Sequence, residues 1–168
     1  ALSRERLDWA EVTVILVDER CVPEKHPDSN AALVRQHLLQ GPATAACFVP
    51  FFQDAPSVQT DTALQTLQQQ AEDRLARLRW PLDVAVLGMG LDGHTASLFP
   101  GAPGLEQALT TTAHCAWVRP VADQPARRTL SLSTLLQARH LILQISGAAK
   151  LAVYARALQR VEVGLPVS

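Results

Sequence analysis

Residues 82–94, with the sequence Leu-Asp-Val-Ala-Val-Leu-Gly-Met-Gly-Leu-Asp-Gly-His, decide the fold class of this chain. Residues 82–87 are almost wholly apolar, which predicts a buried strand. Glycines at 88, 90 and 93 follow at once, where the backbone must turn sharply to leave the strand. A strand without polar alternation is typical of a parallel sheet covered by helices. This stretch therefore indicates an α/β protein.

Alternating strands and helices continue on both sides of this stretch. Strands are predicted at residues 12–17, 82–87, 116–118, 128–132 and 141–145. Helices are predicted from a cap at Asp28 or Ser29 to Gly41, and over residues 62–79, 95–99, 133–138 and 148–159. Residues 47–56 are predicted to form a loop. The order predicts one α/β domain over 1–168, a three-layer α/β/α sandwich with a mostly parallel, Rossmann-like sheet.

Composition limits the partners of the chain. Its 168 residues are 48% apolar, enough to build a core. Fifteen basic and sixteen acidic residues leave a net charge of −1, so no strong field attracts nucleic acid or an anionic membrane. No apolar run reaches the length of about 20 residues that spans a bilayer. We therefore expect a cytoplasmic protein that binds neither nucleic acid nor a membrane, and the sequence does not predict its oligomeric state.

The three cysteines do not form a recognisable pattern. Cys21, Cys47 and Cys115 are odd in number and far apart, which argues against a disulfide framework and against a CxxC site. No HExxH motif or cluster of His and Cys indicates zinc. We expect a reducing compartment and neither a metal nor an organic cofactor.

Two polar clusters follow two of the predicted strands. Asp18-Glu19-Arg20 follows the first, and Asp92-Gly93-His94 follows the strand at 82–87. Each residue alone would more often be a solvated loop charge or a helix cap. Ligands of open α/β sheets bind beyond the carboxyl ends of the strands, so the shared position predicts a site.

The second cluster predicts acid–base chemistry. His94 precedes the predicted short helix at 95–99, and the positive end of that helix disfavours a charged imidazolium. Asp92 can orient the ring or bind substrate hydroxyls, and Arg20 can stabilise a negative carbonyl oxygen. Ser97 lacks the GxSxG context of a nucleophile. These residue types suit hydrolysis of an ester by water.

The glycines also fit a different class of function. Gly88, Gly90 and Gly93 match the GxGxxG pattern of dinucleotide-binding modules. That fingerprint needs a long helix after the glycines and an acidic residue that closes the next strand. Pro100 and Gly101 end the predicted helix after about one turn, and Glu106 follows no predicted strand. The pattern therefore gives little support to a dinucleotide site.

Two further cations are candidates for phosphate binding. Arg127 lies in Pro-Ala-Arg-Arg-Thr-Leu-Ser (125–131), and Lys150 ends Gly-Ala-Ala-Lys (147–150). Either could be an ordinary surface charge. Residues 147–150 lead from a strand into a helix, where free backbone amides and a lysine can hold a phosphate.

These motifs together resemble those of the 6-phosphogluconolactonase family. The matching stretches are Val-Asp-Glu-Arg (17–20), His-Pro-Asp-Ser-Asn (26–30), Leu-Gly-Met-Gly-Leu-Asp-Gly-His-Thr-Ala-Ser-Leu-Phe-Pro (87–100), Arg-Arg-Thr-Leu-Ser (127–131) and Gly-Ala-Ala-Lys (147–150). The resemblance implies a fold shared with sugar-phosphate isomerases and a phosphorylated sugar lactone as the substrate. It also implies roles: His94 as general base, Asp18, Arg20 and Asp92 around the lactone, and Arg127 with Lys150 on the phosphate. The motif residues Gly90, Gly93 and Asn30 are assigned to substrate binding on the same ground.

The chain departs from that family in one respect. The family begins with a strand and a Ser-Gly-Gly-Ser-Thr-Pro type loop that helps to bind phosphate, and this sequence has no such loop. We therefore expect truncation at the N-terminus, and the sequence leaves truncation at the C-terminus open. We also expect a free edge beside the strand at 12–17. The rival within the fold is a glucosamine-6-phosphate deaminase or isomerase, which uses a carboxylate after its histidine, whereas no acid lies between His94 and Glu106. A non-catalytic sugar-phosphate-binding protein is the third alternative.

Overall fold

The computed structural model describes residues 2–53, 60–120, 124–162 and 164–168. The strands are β1 Thr13–Ile15, β2 Asp18–Arg20, β3 Cys47–Val49, β4 Val84–Leu87, β5 Cys115–Val118, β6 Arg127–Leu130 and β7 His140–Leu143. The helices are α1 Asn30–His37, α2 Asp61–Leu75, α3 Leu105–Thr110, α4 Leu132–Leu136 and α5 Ala148–Ala157, with short 3₁₀ turns at Leu2–Arg4, Trp9–Glu11 and Gly41–Ala45.

The strands form three small sheets. β1 pairs with β3 and β4 pairs with β7, both in parallel, with Thr13 opposite Cys47 and Val84 opposite His140. β6 lies between β2 and β5 and is antiparallel to both. The predicted α/β class with parallel strands is confirmed. The antiparallel sheet was not predicted, because a residue pattern does not determine which strands pair. The single-domain organisation stays a prediction.

Helix α2 packs against strand β5 in the core. The apolar stripe of α2 is buried at Leu64, Leu67, Ala71 and Leu75. The helix begins after Thr60, whose Oγ1 accepts a hydrogen bond from Ala63 N at 3.2 Å. The predicted helix at 62–79 is confirmed, although it ends four residues early. Within the described ranges, every helix is too short or too polar to span a bilayer.

The first polar cluster is itself a strand. The predicted strand at 12–17 ends at Ile15, and Asp18–Arg20 forms β2 against β6. A charged strand forms here because its central side chain, Glu19, is buried and satisfied. The Glu19 carboxylate accepts from Asn30 N at 2.9 Å and from Ala31 N at 2.8 Å, at the start of α1. Among the described strands, β1 pairs only with β3.

Two predicted elements were wrong, and one helix was missed. Cys47–Val49 is a strand although a loop was predicted there, and residues 54–59 of that loop lie outside the described residues. Leu105–Thr110 forms a helix that was not predicted. Residues 95–99 do not form a helix, because a tight turn with a bridge between Thr95 and Leu98 replaces it.

The strand at 82–87 is buried on one face only. Ala85 and Leu87 point into the core, whereas Val84 and Val86 are 52% and 57% exposed. Leu141 and Ile142 of the neighbouring β7 are also exposed. No residue in the described ranges covers this apolar face.

Candidate active site

A cleft of about 380 Å³ lies where β2, β4 and β6 meet the start of α5. The polar side chains that line it are Asp18, Arg20, Asn30, His94, Arg127 and Lys150. They come from five separate parts of the chain. Gly90 lines the cleft as well, together with the aromatic ring of Phe99.

His94 and Asp92 form a hydrogen-bonded pair at the edge of this cleft. Asp92 Oδ1 lies 2.6 Å from His94 Nδ1 and 3.2 Å from His94 N. Partial burial would raise the pKa of Asp92, but the hydrogen bonds from His94 outweigh it and lower that pKa. In the tautomer that donates the Nδ1 proton to this carboxylate, Nε2 carries the free lone pair. No described residue hydrogen-bonds to Nε2.

The backbone around the pair is close-packed. A Cβ on Gly90 would lie 2.3 Å from His94 Nδ1 and 2.4 Å from Asp92 Oδ1, so only glycine leaves room for the pair. Gly93 has a φ of 79°, and a Cβ there would lie 2.1 Å from Leu165 Cδ1. Leu165 is fully buried, and Val167 N donates to Gly93 O at 3.0 Å. The segment 164–168 therefore packs against the turn that carries His94.

Asn30 lies between Asp18 and Arg20. Its Nδ2 donates to Asp18 O at 2.9 Å and to Asp18 Oδ1 at 3.2 Å. Its Oδ1 accepts from Arg20 Nη1 at 2.7 Å, and the same Arg20 nitrogen donates to Asp28 O at 2.9 Å. The amide group of Asn30 is thus occupied by protein partners on both sides.

Three cations face the cleft together. The Arg127 guanidinium lies over the Phe99 ring at 5.5 Å and donates to Gln124 Oε1 at 3.1 Å. Burial, followed by the nearby positive charge of Arg20, lowers the pKa of Arg127, which nevertheless stays protonated. Lys150 lies in the first turn of α5, after Gly147. Two guanidiniums and an ammonium beside one carboxylate, Asp18, make the cleft suited to an anion.

The structure brings most of the predicted site residues to one cleft. Asp92 and Gly93 lie outside its lining, Asp92 behind His94 and Gly93 against Leu165. The helix-dipole argument for a neutral His94 was wrong, because no helix follows that residue. Phe99 was missed, although its ring lies 4.4 Å from that of His94. Ser97 was considered only as a nucleophile, yet its hydroxyl contacts Asp18.

The described residues contain no group of three or more His, Cys, Asp or Glu side chains placed to hold a metal ion. All three cysteines are free, with Cys21 and Cys115 buried and Cys47 exposed.

Comparison with known proteins identifies relatives over the whole chain. The model of the family described as glucosamine-6-phosphate isomerases/6-phosphogluconolactonase matches residues 1–168. A 6-phosphogluconolactonase of Pseudomonas aeruginosa is 48% identical over 162 residues, which are 94% of this chain and 65% of that protein. One from Rhizobium meliloti is 45% identical over 94% of this chain and 66% of its own length.

A solved structure agrees with these sequence relatives. The crystal structure of a 6-phosphogluconolactonase from Shewanella baltica matches with a TM-score of 0.90 at 40% identity, covering 99% of this chain and 69% of that one. The chain spans about 65% of the length of the two sequence relatives described above.

Proposed function

The chain belongs to the glucosamine-6-phosphate isomerase/6-phosphogluconolactonase family, and we propose that it carries the catalytic site of a 6-phosphogluconolactonase. The reaction is hydrolysis of 6-phospho-D-glucono-1,5-lactone to 6-phosphogluconate, a step of the oxidative pentose phosphate pathway. One observation carries the proposal: a carboxylate-oriented histidine and three cations face the same cleft.

His94 acts as the general base in the first step. With Nδ1 donating to Asp92, the lone pair of Nε2 is free to take a proton from a water molecule. The oxygen of that water attacks C1 of the lactone, and a tetrahedral oxyanion forms. Arg20, which lines the cleft beside Asp18, stabilises the negative charge on that oxygen.

The second step returns the proton. The bond between C1 and the ring oxygen breaks, and protonated His94 gives its Nε2 proton to the leaving oxygen. Asp92 stabilises the imidazolium between the two steps, because its lowered pKa keeps the carboxylate charged. The products are the open-chain acid and a neutral histidine, so atoms and charges balance without a metal or an organic cofactor.

Arg127 and Lys150 bind the 6-phosphate. Both line the cleft, and neither forms an ion pair with a described carboxylate. The phosphate does not change during the reaction, so these residues contribute binding that is equal in the ground and transition states. We propose Asp18, Gly90, Gly93 and Asn30 as residues that shape the lactone site, and a cytoplasmic location stays a prediction.

The lining of the cleft also favours the lactonase over the deaminase. Asp18 is the only carboxylate among the lining residues that the structure describes, and both its side-chain oxygens are hydrogen-bonded within the protein. The extra acid after the histidine that the deaminase reaction uses is absent from the sequence before Glu106.

The direct test measures two reactions with the natural gene product that carries this sequence. Freshly generated 6-phosphogluconolactone and glucosamine 6-phosphate are supplied in parallel, and rates are corrected for spontaneous lactone hydrolysis. We expect turnover of the lactone alone. Deamination of glucosamine 6-phosphate without lactone hydrolysis would contradict the proposal.

Replacing the base tests the mechanism. His94→Ala should lower kcat by roughly 10² to 10⁴, the usual contribution of an acid–base group, with little change in KM. His37→Ala is the matched control, because His37 is an exposed histidine in the last turn of α1. A background-corrected kcat near that of the unaltered enzyme in His94→Ala would remove His94 from the mechanism.

A further inference from the structure

The Asp18 carboxylate is held on both sides before any ligand binds. Its Oδ2 accepts a hydrogen bond from Ser97 Oγ at 2.6 Å, and its Oδ1 accepts one from Asn30 Nδ2 at 3.2 Å. The contact with Ser97 joins positions 79 residues apart in the sequence. Its short length is typical of a hydroxyl bonded to a charged oxygen.

Ser97 is placed by a strained turn. Ala96 has a φ of 48°, a left-handed conformation that is unfavourable for a residue with a Cβ. Thr95 Oγ1 donates to Gly88 O at 2.9 Å and Leu98 N donates to Thr95 O at 2.9 Å, and together these bonds hold the turn. Strain of this kind persists where the surrounding structure imposes it, often at functional sites.

The side chain of Ser97 is closed to solvent. Its exposed fraction is 0%, and its only hydroxyl proton is directed to Asp18. Its backbone N–H lies 3.4 Å from Thr129 Oγ1, on the β6 residue that pairs with Asp18. Ser97 is therefore anchored to β2 through Asp18 and to β6 through Thr129. Because its side chain is fully buried, the hydroxyl cannot reach a substrate as a nucleophile.

We infer that Ser97 is a positioning residue, and that its hydroxyl fixes Arg20 in the cleft through Asp18 and Asn30. Ser97 holds one oxygen of Asp18, Asn30 holds the other, and the Oδ1 atom of Asn30 accepts from Arg20 Nη1 at 2.7 Å. Without the hydroxyl, the Asp18 carboxylate can rotate, and Asn30 Nδ2 then keeps only its hydrogen bond to the Asp18 backbone oxygen at 2.9 Å. The effect on catalysis rests on the proposed function, in which Arg20 stabilises the oxyanion. The placement of Arg20 by Ser97 does not depend on that function.

The kinetic test is a double-mutant cycle. Ser97→Ala should lower kcat roughly 10- to 100-fold, because a displacement of about 1 Å in a catalytic group has an effect of that size. In the Asp18→Ala background the same substitution should change kcat less than about twofold, since the partner of the hydroxyl is gone. KM should change little in Ser97→Ala, because Arg127 and Lys150 still bind the phosphate. An equal loss in both backgrounds would overturn the inference.

Two variants separate the hydrogen bond from packing. Ser97→Cys keeps the volume but offers only a weak donor, so it should lose activity as Ser97→Ala does. If Ser97→Cys restores kcat, the buried volume matters and the hydrogen bond does not. Ser133→Ala is the control, because Ser133 lies outside the cleft lining and its hydroxyl donates to Thr111 O at a distance of 3.0 Å. The kcat of Ser133→Ala should stay within about twofold of that of the unaltered enzyme.

A crystal structure of Ser97→Ala tests the placement independently of the reaction. We expect the Asp18 side chain to rotate and the contact between Arg20 and Asn30 to break. Unchanged Asp18 and Arg20 would overturn the inference, whether or not the enzyme hydrolyses the lactone. If the unaltered enzyme does not hydrolyse the lactone, the proposed function is overturned. The crystal structure of Ser97→Ala would still show whether Ser97 positions Asp18 and Arg20.

Discussion

Arg127 and Arg128 are neighbours on β6 with opposite surroundings. Arg127 is partly exposed and lines the cleft, where its guanidinium lies over Phe99. Arg128 is fully buried, lies over the Trp117 ring at 4.0 Å, and donates to Gln68 Oε1 and, at 3.3 Å, to Cys115 Sγ. Successive side chains of a strand point to opposite faces, so one register places Arg127 in the cleft and Arg128 in the core.

The two arginines are compensated differently. Around Arg128, Glu72 lies within electrostatic range and is itself held by Cys115 N at 2.7 Å and His114 N at 3.1 Å. Around Arg127, the strongest charge effect comes from another cation, Arg20. Arg128 is enclosed by the core with a carboxylate nearby, whereas Arg127 lies beside a second cation in a cleft and is suited to an incoming anion.

The largest expected effect follows from removing the buried arginine. Arg128→Ala should lower the free energy of unfolding by about 3–5 kcal/mol, because it empties a large buried volume and removes the donor to Gln68 Oε1 and Cys115 Sγ. Urea denaturation measures the loss. A change below about 1 kcal/mol, the range of an ordinary surface substitution, would break the contrast between the two arginines.

Removing the cleft arginine should act on binding instead. Arg127→Ala should raise KM for the phosphorylated lactone roughly 10- to 100-fold at nearly constant kcat, the loss expected when a uniform contact to a charged group is removed. Steady-state kinetics on phosphorylated and unphosphorylated gluconolactone measure it. Equal losses on the two lactones would show that Arg127 supports the site structurally and does not contact the phosphate.

A smaller effect concerns the pH dependence of the stability that Asp92 contributes. The pKa of Asp92 is lowered in the folded chain, so its contribution to stability is present above the ordinary carboxyl range and is lost as pH falls through the lowered value. The difference in unfolding free energy between the unaltered protein and Asp92→Asn should therefore be constant near neutral pH and shrink in acid. A difference that grows in acid would contradict the sign.

The smallest effect concerns the three cysteine thiols, whose reactivity reports how accessible each region is to solvent. Burial raises the pKa of Cys21 to about 11 and that of Cys115 to about 12. Cys47 is exposed. Because the thiolate is the reactive form, a disulfide reagent should modify Cys47 alone in the native protein and all three cysteines after denaturation. Rapid modification of Cys115 in the native state would show that the region around Arg128 is open.

The sequence by itself determined the local parts of this protein. The apolar spacing in α2 and the run at 82–87 predict their elements, since neighbours along the chain decide them. Asp92 and His94 are two residues apart, so their hydrogen bond needs only a tight turn and a glycine at 90. The family motifs indicated the cleft residues because each motif is a short continuous stretch of sequence.

Only the tertiary structure decided which distant groups meet. Asp18 and Ser97 are 79 residues apart, and no local pattern predicts that the turn at Ala96 brings the hydroxyl to the carboxylate. Likewise, the sequence contains two adjacent arginines, and the pairing of β6 with β2 and β5 determines which one is buried. A shift of one residue in that register would exchange their faces, because side chains alternate along a strand. The register itself depends on contacts across the whole fold, which no short stretch of sequence contains.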